Sequence, residues 1–297
     1  MRMSSINDKL NKLKAIKQEL KQVLQNNNVE PSDDFTTYPS VFDKVIEDSK
    51  SGAAYGFPEF WNTRTSGGNS GYALFAYVIT DNINLNEYTD NISHFTTVER
   101  MFFNAEVKTL TMQNVDFSKV TTMAYMLNYY GAYLGDVIVD LSGIKTSSKL
   151  TNMNSLCYFS NIKTLNITGI DTSYVSNMNY LFNYSSKLEE VIGEIDCSRV
   201  TNGLYPSSLY NPFGKCTSLK RLHLKNIYKN CTLTNASKWS INLADTILEN
   251  DCLISIMNQL PTLPTGYTNI VLTLPPTNTL TDEQKQIAIN KNWTTVN

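Results

Sequence analysis

The feature that most constrains this chain is a short apolar pattern that recurs between residues 98 and 227. Each full copy has the form L-x-L-x-x-[VI] in residue class, and the copies are Leu110, Met112 and Val115; Val139, Leu141 and Ile144; Leu165, Ile167 and Ile170; and Leu222, Leu224 and Ile227. Alternating apolar residues are typical of a strand with one buried face. A further copy, from Val191 to Ile195, is one residue shorter.

A second periodicity follows each strand pattern. Connectors of similar sequence, Val-Asp-Phe-Ser-Lys-Val, Ile-Asp-Thr-Ser-Tyr-Val and Ile-Asp-Cys-Ser-Arg-Val, occupy residues 115–120, 170–175 and 195–200. Apolar residues in steps of three come next: Val120, Met123 and Met126; Leu150, Met153 and Leu156; Val175, Met178 and Leu181. Steps of three suit one face of a short helix. We therefore predict a short helix in each unit, with Met123, Met153 and Met178 at equivalent inward positions.

A unit of one strand and one helical turn cannot bury its apolar side alone, so copies have to stack. The predicted fold class is an α/β repeat, a leucine-rich-repeat solenoid with an N-terminal helical segment. Unequal spacing between the copies predicts loop insertions. Residues that alternate with the buried ones point outward, which predicts one solvent-facing row of Thr111, Asp140, Asn166 and His223.

These motifs also resemble a known family. The run Val-x-x-Met-x-x-[Met/Leu], followed by Leu-x-Leu and Ile-Asp-x-Ser-x-Val, resembles the BspA-like leucine-rich repeats of bacterial surface antigens over roughly residues 95–230. The segment from Leu280 to Trp293 resembles the closing segment of such arrays in proteins of phages and gut bacteria. The resemblance implies adhesion or recognition without catalysis. The sequence departs from the family pattern at 203–212, where regular stacking is not expected.

The N-terminal segment predicts a different structure. Residues 6–25 have the spacing of a helix that is compatible with a coiled coil, with one apolar seam formed by Ile6, Leu13, Ile16, Leu20 and Val23. An isolated helix of this length is marginal in water, so the seam needs a partner. Two alternatives remain open: a second predicted helix from Pro39 to Asp48, or sister chains in a homo-oligomer, with a trimer favoured. Both can hold together.

Composition shifts and turn signals predict four segments. They are an attachment and oligomerisation segment (1–50), an N-terminal cap of strands that includes Tyr72 to Ile79 (51–97), the BspA-like repeats (98–230), and a C-terminal repeat and cap (231–297). Within the last segment we predict a helix from Ile247 to Leu260, a strand from Ile270 to Leu274 and a helix from Thr281 to Asn290. Thr281 and Gln284 fit a capping box at the start of that helix.

Composition excludes several classes of partner. The net charge is −2 and the repeats carry no basic patch interleaved with aromatics, so nucleic acid is not an expected partner. No apolar run is long enough for membrane insertion. Five cysteines occur without C-x-x-C spacing or nearby histidines, which predicts reduced, mostly buried thiols and no metal site. No phosphate-binding glycine pattern is present, and no cofactor is predicted.

Catalysis has little support in the sequence. The histidines, His94 and His223, lie far apart in sequence, and no Ser-His-Asp or Cys-His arrangement is indicated. A glycosidase needs two close carboxylates, and the acids that come closest to this are Glu189, Glu190, Glu194 and Asp196. Four acids on the edge of a repeat array are more typical of a solvated surface. We therefore predict a non-enzymatic protein.

Aromatic residues recur where each predicted helix leads into a strand: Tyr129, Tyr130 and Tyr133; Tyr158 and Phe159; Tyr180 and Tyr184; Tyr205 and Tyr210. Such residues fill the corners of a repeat array or anchor a partner. The candidate partner-contact residues are Thr111, Asp140, Asn166 and His223 of the outward row together with Tyr129 and Tyr130.

We expect the chain to be a phage virion protein, made in the host cytoplasm without a signal peptide because its start has no apolar segment. Its N-terminal helix would bind other virion proteins. The repeats would form an exposed appendage, at the tail, at the baseplate or as a capsid fibre, that recognises a protein or glycan of the host surface. The alternatives are a purely structural virion or scaffold subunit, and a bacterial cell-surface adhesin.

Overall fold

The computed structural model describes residues 70–88, 92–201, 211–231, 239–267 and 270–297. The predicted N-terminal helices, with the seam from Ile6 to Val23, lie outside the described residues. So do Tyr205 and Tyr210. The account below concerns the described part of the chain.

Six strands form one parallel sheet whose strand order follows the chain order. Each strand pairs in parallel with the next one along the chain. Parallel neighbours need a connection that returns to the same end of the sheet, and here each connection belongs to one sequence repeat. The strands are β1 Ile79–Asn84, β2 Glu106–Thr111, β3 Val137–Asp140, β4 Ile162–Asn166, β5 Glu190–Asp196 and β6 Arg221–Lys225.

Burial confirms the inward positions of the repeat pattern. Leu110 is 6 % exposed, while Val139, Leu165 and Leu222 are fully buried at the corresponding positions of their strands. Met123, Met153 and Met178 are at most 2 % exposed. Because each repeat contributes the same apolar set, these side chains form one continuous core beneath the sheet.

The predicted short helices are absent from the described repeats, and that prediction is wrong. Successive turns occupy the segment that begins after Met123 and leads to β3. We call this segment, and the equivalent segment before each of the other strands, a turn run. The N–H groups of Met123, Tyr125 and Leu127 donate to carbonyls of the following repeat at 2.8–2.9 Å instead of to their own chain four residues back. Tyr125 adopts a φ of 57°, which a helix does not allow.

The intervening N–H groups close turns inside the same repeat. Met126 N–H donates to the Met123 carbonyl at 3.2 Å, three residues earlier. A step of three therefore places Val120, Met123 and Met126 on one side of the chain without a helix. The physical reason for the error is that steps of three fit both consecutive turns and a short helix.

The same bonding joins each turn run to the next. Gly71 donates to Thr97, Val98 to Thr122, Met123 to Asn152 and Met153 to Asn177, each through backbone N–H and carbonyl groups. The segment from Tyr72 to Tyr77 is thus a turn run, and the strand predicted to begin at Tyr72 is wrong. The strand β1 begins only at Ile79 and joins the six-stranded sheet.

The C-terminal part holds a second, three-stranded parallel sheet with two helices. Its strands are β7 Ile241–Asn242, β8 Val271–Thr273 and β9 Thr294–Val296, and its helices are α1 Asn250–Gln259 and α2 Asp282–Ile289. The predicted capping box is confirmed, because Thr281 Oγ1 accepts the Gln284 N–H and the Gln284 side chain accepts the Thr281 N–H. Lys291 Nζ donates to the carbonyls of Met257 and Asn258 in the last turn of α1 and to the carbonyl of Leu260 directly after it.

Candidate functional site

The structure places Thr111, Asp140 and Asn166 in one outward row. Thr111 is the register partner of Asp140, and Asp140 is the register partner of Asn166. The row continues to Asn84 on β1 and to Ile192 on β5. The three predicted residues are partly exposed, so they belong to a surface that a partner can reach.

His223 faces outward on β6, as predicted, between the buried Leu222 and Leu224. It does not pair with Ile192, because the five residues of β5 from Glu190 to Glu194 lie opposite only three residues of β6, and His223 pairs with Glu194. The strand β5 has seven residues, and the copy that looked short in the sequence lies in the longest strand of the sheet. Extra outward residues in β5 therefore displace His223 from the register of Asn166.

Asp140 and Asn166 also stabilise the turns that follow their strands. The Oδ1 atom of Asp140 accepts the Ser142 N–H at 2.9 Å, and the Oδ1 atom of Asn166 accepts the Thr168 N–H at 3.0 Å. Such turns fix the side chain relative to the backbone. Each of these side chains keeps further hydrogen-bonding capacity for a partner.

A cleft opens on the outward face between β2 and β3. These strands pair only at Thr111 and Asp140, whereas the other neighbouring strands of the sheet pair over three or more positions. The cleft has a volume of about 410 Å³. Its lining consists of Lys108, Thr109, Leu110, Thr111, Met112, Gln113, Asp136, Ile138 and Asp140. Two residues of the predicted row thus lie in the cleft.

The segment that precedes β3 explains why the strands separate. The Tyr130 hydroxyl donates to the Val107 carbonyl at 2.8 Å, and the Gly131 N–H donates to the Ala105 carbonyl at 2.9 Å. These groups occupy the side of β2 that a longer β3 would cover. Tyr130 is fully buried, so its assignment as a surface contact is wrong. The hydroxyl needs a partner inside the protein, and Val107 supplies it.

The backbone before β3 is also anchored to Glu106, the first residue of β2. The Glu106 carboxylate accepts the Tyr133 N–H, with distances of 3.2 and 3.1 Å to its two oxygens. Burial raises the pKa of Glu106, although hydrogen bonds from Tyr133 and Ala132 act in the opposite direction. Tyr133 is 89 % exposed and Ile138 is 65 % exposed. Exposed side chains on a fixed backbone are suited to partner contact because little conformational freedom is lost on binding.

Two of the three charged side chains of the cleft, Lys108 and Asp136, are paired with neighbouring repeats. Lys108 contacts Asp81, and Asp136 accepts a hydrogen bond from Lys163 at 2.7 Å. The hydrogen bond and the charge of Lys163 lower the pKa of Asp136. Lys163 also lies 3.8 Å from Glu189. The cleft therefore presents fixed polar groups with little net charge of either sign.

The acids that could have served a hydrolase contact cations of the next strand. Glu189 lies 3.2 Å from Lys220, Glu190 lies 3.5 Å from Arg221, and Glu194 lies 3.2 Å from Lys225. For Asp196, burial raises the pKa, but hydrogen bonds from Ser198 and Asn226 outweigh it, and the pKa falls below its usual value. A general acid needs the opposite shift.

Aromatic residues of successive turn runs contact one another in a row that we call the aromatic spine: Tyr77, Phe103, Tyr129, Phe159 and Tyr184, with Tyr158 beside it. The contacts of Phe103 with Tyr77 and with Tyr129 are edge-to-face. The rings of Tyr129 and Phe159 are 5.3 Å apart, those of Phe159 and Tyr184 are 4.3 Å apart, and both pairs are nearly parallel. Ring faces that cover one another are not open to a sugar. The geometry favours the interpretation that these residues fill the corners of the repeats.

The remaining candidate groups offer no reactive centre. Burial raises the pKa of the Cys157, Cys197 and Cys216 thiols, which keeps them protonated. Over the ranges that the structure describes, no three His, Cys, Asp or Glu side chains come together as metal ligands. In those same ranges no helix has both the length and the apolar character needed to cross a membrane.

Sheet topology and repeat geometry define the class: an α/β repeat protein with a parallel sheet built one strand per repeat. A family model described as "Mycoplasma protein of unknown function, DUF285" matches residues 60–139 and 151–220, together half of the chain. The chain belongs to this family, which is consistent with the BspA-like repeats. No curated protein and no solved structure gave a match.

Proposed function

We propose that this protein is a non-enzymatic recognition protein that binds its partner at the cleft between β2 and β3. The observation that carries the proposal is the single register pair Thr111–Asp140, which leaves a cleft of about 410 Å³ in an otherwise paired sheet. A concave site with a few fixed polar groups is the usual form of a ligand site. The exposed Ile138 of the lining adds the apolar contact that partner surfaces favour.

The proposed setting is the surface of a phage particle, with the partner on the host cell. The support is the resemblance of the repeats and of the closing segment to arrays in phage and bacterial surface proteins. Residues 1–50 would join the protein to other virion components. The alternative of a purely structural virion or scaffold subunit is favoured by the ion pairs between repeats, which occupy much of the outward face. A bacterial cell-surface adhesin is the remaining alternative, and the same cleft would serve it.

Replacing Ile138 by Asp is expected to weaken binding of the full chain to intact bacterial cells by about tenfold or more, the size of a contact hot spot. The new carboxylate would stand beside Asp136 and Asp140 in the cleft and would remove the exposed apolar contact. Binding is measured by flow cytometry with labelled protein on a panel of strains. Ile192→Asp is the matched control, because Ile192 is also an outward, exposed isoleucine but lies on β5.

Equal cell binding by the two variants, or no binding by the parent to any strain, would contradict the cleft as the recognition site. Equal melting temperatures of parent and variants establish that folding is retained.

The second part of the proposal predicts that residues 1–50 oligomerise the chain. We expect the full-length protein to sediment as an oligomer, with a trimer favoured, and a chain beginning at residue 52 to sediment as a folded monomer. The reason is that the seam of Ile6, Leu13 and Leu20 needs apolar cover. Polar substitutions at Leu13 and Leu20 are expected to have the same effect as the truncation. A monomeric full-length chain would leave this segment as an intrachain cap.

A further inference from the structure

The groups around the cleft restrict what it binds. We infer that the ligand is a neutral saccharide of a cell-surface polysaccharide, which deepens the proposed function and rests on it. Three features of the cleft carry this inference: its size, the kind of polar group that lines it, and its balance of charge.

The cleft has the size of a small-molecule site. Its volume of about 410 Å³ lies near the lower end of the range for ligand pockets. Val107 and Leu110 are buried while Lys108 and Thr109 between them are exposed, so two consecutive side chains of β2 reach the surface. The cleft is therefore open and shallow, as a site must be if its ligand is part of a longer chain that continues on both sides.

Polar side chains of several kinds converge on this small volume. Thr109 and Thr111 bring hydroxyls, Gln113 an amide, and Asp140 a carboxylate held by the Ser142 N–H. Hydroxyls and amides both donate and accept, and carboxylates accept two or more hydrogen bonds. This mixture matches the paired donors and acceptors of neighbouring sugar hydroxyls. Ile138 offers one apolar contact, which suits the C–H face of a sugar ring.

The charge balance disfavours an ionic ligand. The cleft has one ammonium group, Lys108, which is paired with Asp81, and one of its two carboxylates, Asp136, is paired with Lys163. An acidic saccharide would meet Asp136 and Asp140 without a free cation from the lining. A strongly basic peptide would find Asp136 already paired, and only the single carboxylate of Asp140 would remain for it.

An added peptide strand is also disfavoured. A strand that extended the sheet at β2 would need main-chain carbonyls on the side that faces β3. The Ala105 and Val107 carbonyls on that side already accept hydrogen bonds from the Gly131 N–H and the Tyr130 hydroxyl. Inserting a strand would break both bonds, and the buried Tyr130 hydroxyl would lose its partner. A saccharide uses side chains and leaves these bonds intact.

In the experiment, cells of a strain that the full chain binds receive one of two treatments. Mild periodate oxidation cleaves the vicinal diols of sugars, and protease digestion removes surface proteins. We expect periodate to reduce binding at least about tenfold and protease to leave it unchanged. Because the ligand is neutral, raising the salt concentration from about 0.05 M to about 0.5 M should change the affinity less than twofold, since exposed charge interactions are screened at the higher value.

A pair of variants ties the ligand to the cleft. Thr109→Val combined with Gln113→Ala removes the hydroxyl and the amide and is expected to weaken binding to untreated cells about tenfold or more, since each lost bond leaves a ligand group unpaired. Thr168→Val, an exposed threonine outside the cleft, is the matched control. Polysaccharide purified from the same cells should compete with the parent.

The outcomes separate the two proposals. Binding that depends on Ile138 but is lost after protease, persists after periodate, or falls steeply with salt would overturn the neutral saccharide and retain the cleft. Those results would indicate a protein in the first two cases and a charged ligand in the third. Binding that does not depend on Ile138 would overturn the recognition site itself.

Discussion

Replacing Met153 by Asp is expected to lower the free energy of unfolding by about 3–5 kcal/mol, the cost of an uncompensated charge in a protein interior. Met153 is 2 % exposed and occupies the position shared with Met123 and Met178 in neighbouring repeats. A carboxylate there would have no solvent and would stand in a wholly apolar layer. Its backbone bond to the Asn177 carbonyl does not involve the side chain, so the loss reports on the burial of the side chain.

Urea denaturation followed by circular dichroism measures this effect. The control is Met153→Leu, which conserves volume and should cost less than about 1.5 kcal/mol. If Met153→Asp melted within about a degree or two of the parent, where a loss of this size would lower the melting temperature by several degrees, the repeat register would be wrong.

The second large effect is expected at Gly143, in the turn that follows β3. A Cβ atom added there would lie 1.7 Å from the Gln113 carbonyl oxygen, which is a backbone atom and cannot rotate away. Gly143→Ala is therefore expected to force the chains of the two repeats apart and to cost about 2–3 kcal/mol, as overpacked sites do. The matched control is Gly135→Ala, because a Cβ at Gly135 meets nothing within 4 Å.

Two measurements test the prediction at Gly143. Thermal melting should show a loss for Gly143→Ala and little change for Gly135→Ala. Because Gln113 lines the cleft, Gly143→Ala should also weaken cell binding. Identical melting of the two variants would show that the repeats tolerate a side chain at this contact.

The strands and their buried faces could be predicted from sequence because a period of two, repeated at similar spacing, has few other interpretations. Leu165 and Ile167 are buried and Asn166 points outward, as the pattern requires. The turn runs could not be predicted in the same way. Their positive φ angles fall on Tyr125 and Tyr129, residues that rarely adopt this conformation, so no residue type signals the turns.

The site was predicted only in part, because it depends on how neighbouring repeats align. Thr111 and Asp140 were found from alternation alone, whereas Ile138 and Gln113 were missed. Ile138 and Gln113 both line the cleft because the segment before β3 donates hydrogen bonds to β2 and so separates the two strands. The pairing of His223 with Glu194 could not be predicted, since extra outward residues in β5 leave the inward pattern unchanged. Tyr130 was misplaced because two adjacent tyrosines give no sign of which one faces the core.

The hydrogen bonds between turn runs have a direction, and it gives the stack of repeats two different ends. Inside the turns, the N–H groups of Met123, Tyr125 and Leu127 donate to the C-terminal neighbour, and equivalent bonds join the other runs. Single N–H groups outside this series, such as those of Thr121 and Gly131, donate to the N-terminal neighbour. Aligned peptide groups add their dipoles, as they do in a helix. By the same alternation, the carbonyls of Tyr72 and Leu74 point away from the second repeat. Any group that binds these two carbonyls has to bring N–H donors or positive charge, because a carbonyl oxygen only accepts hydrogen bonds.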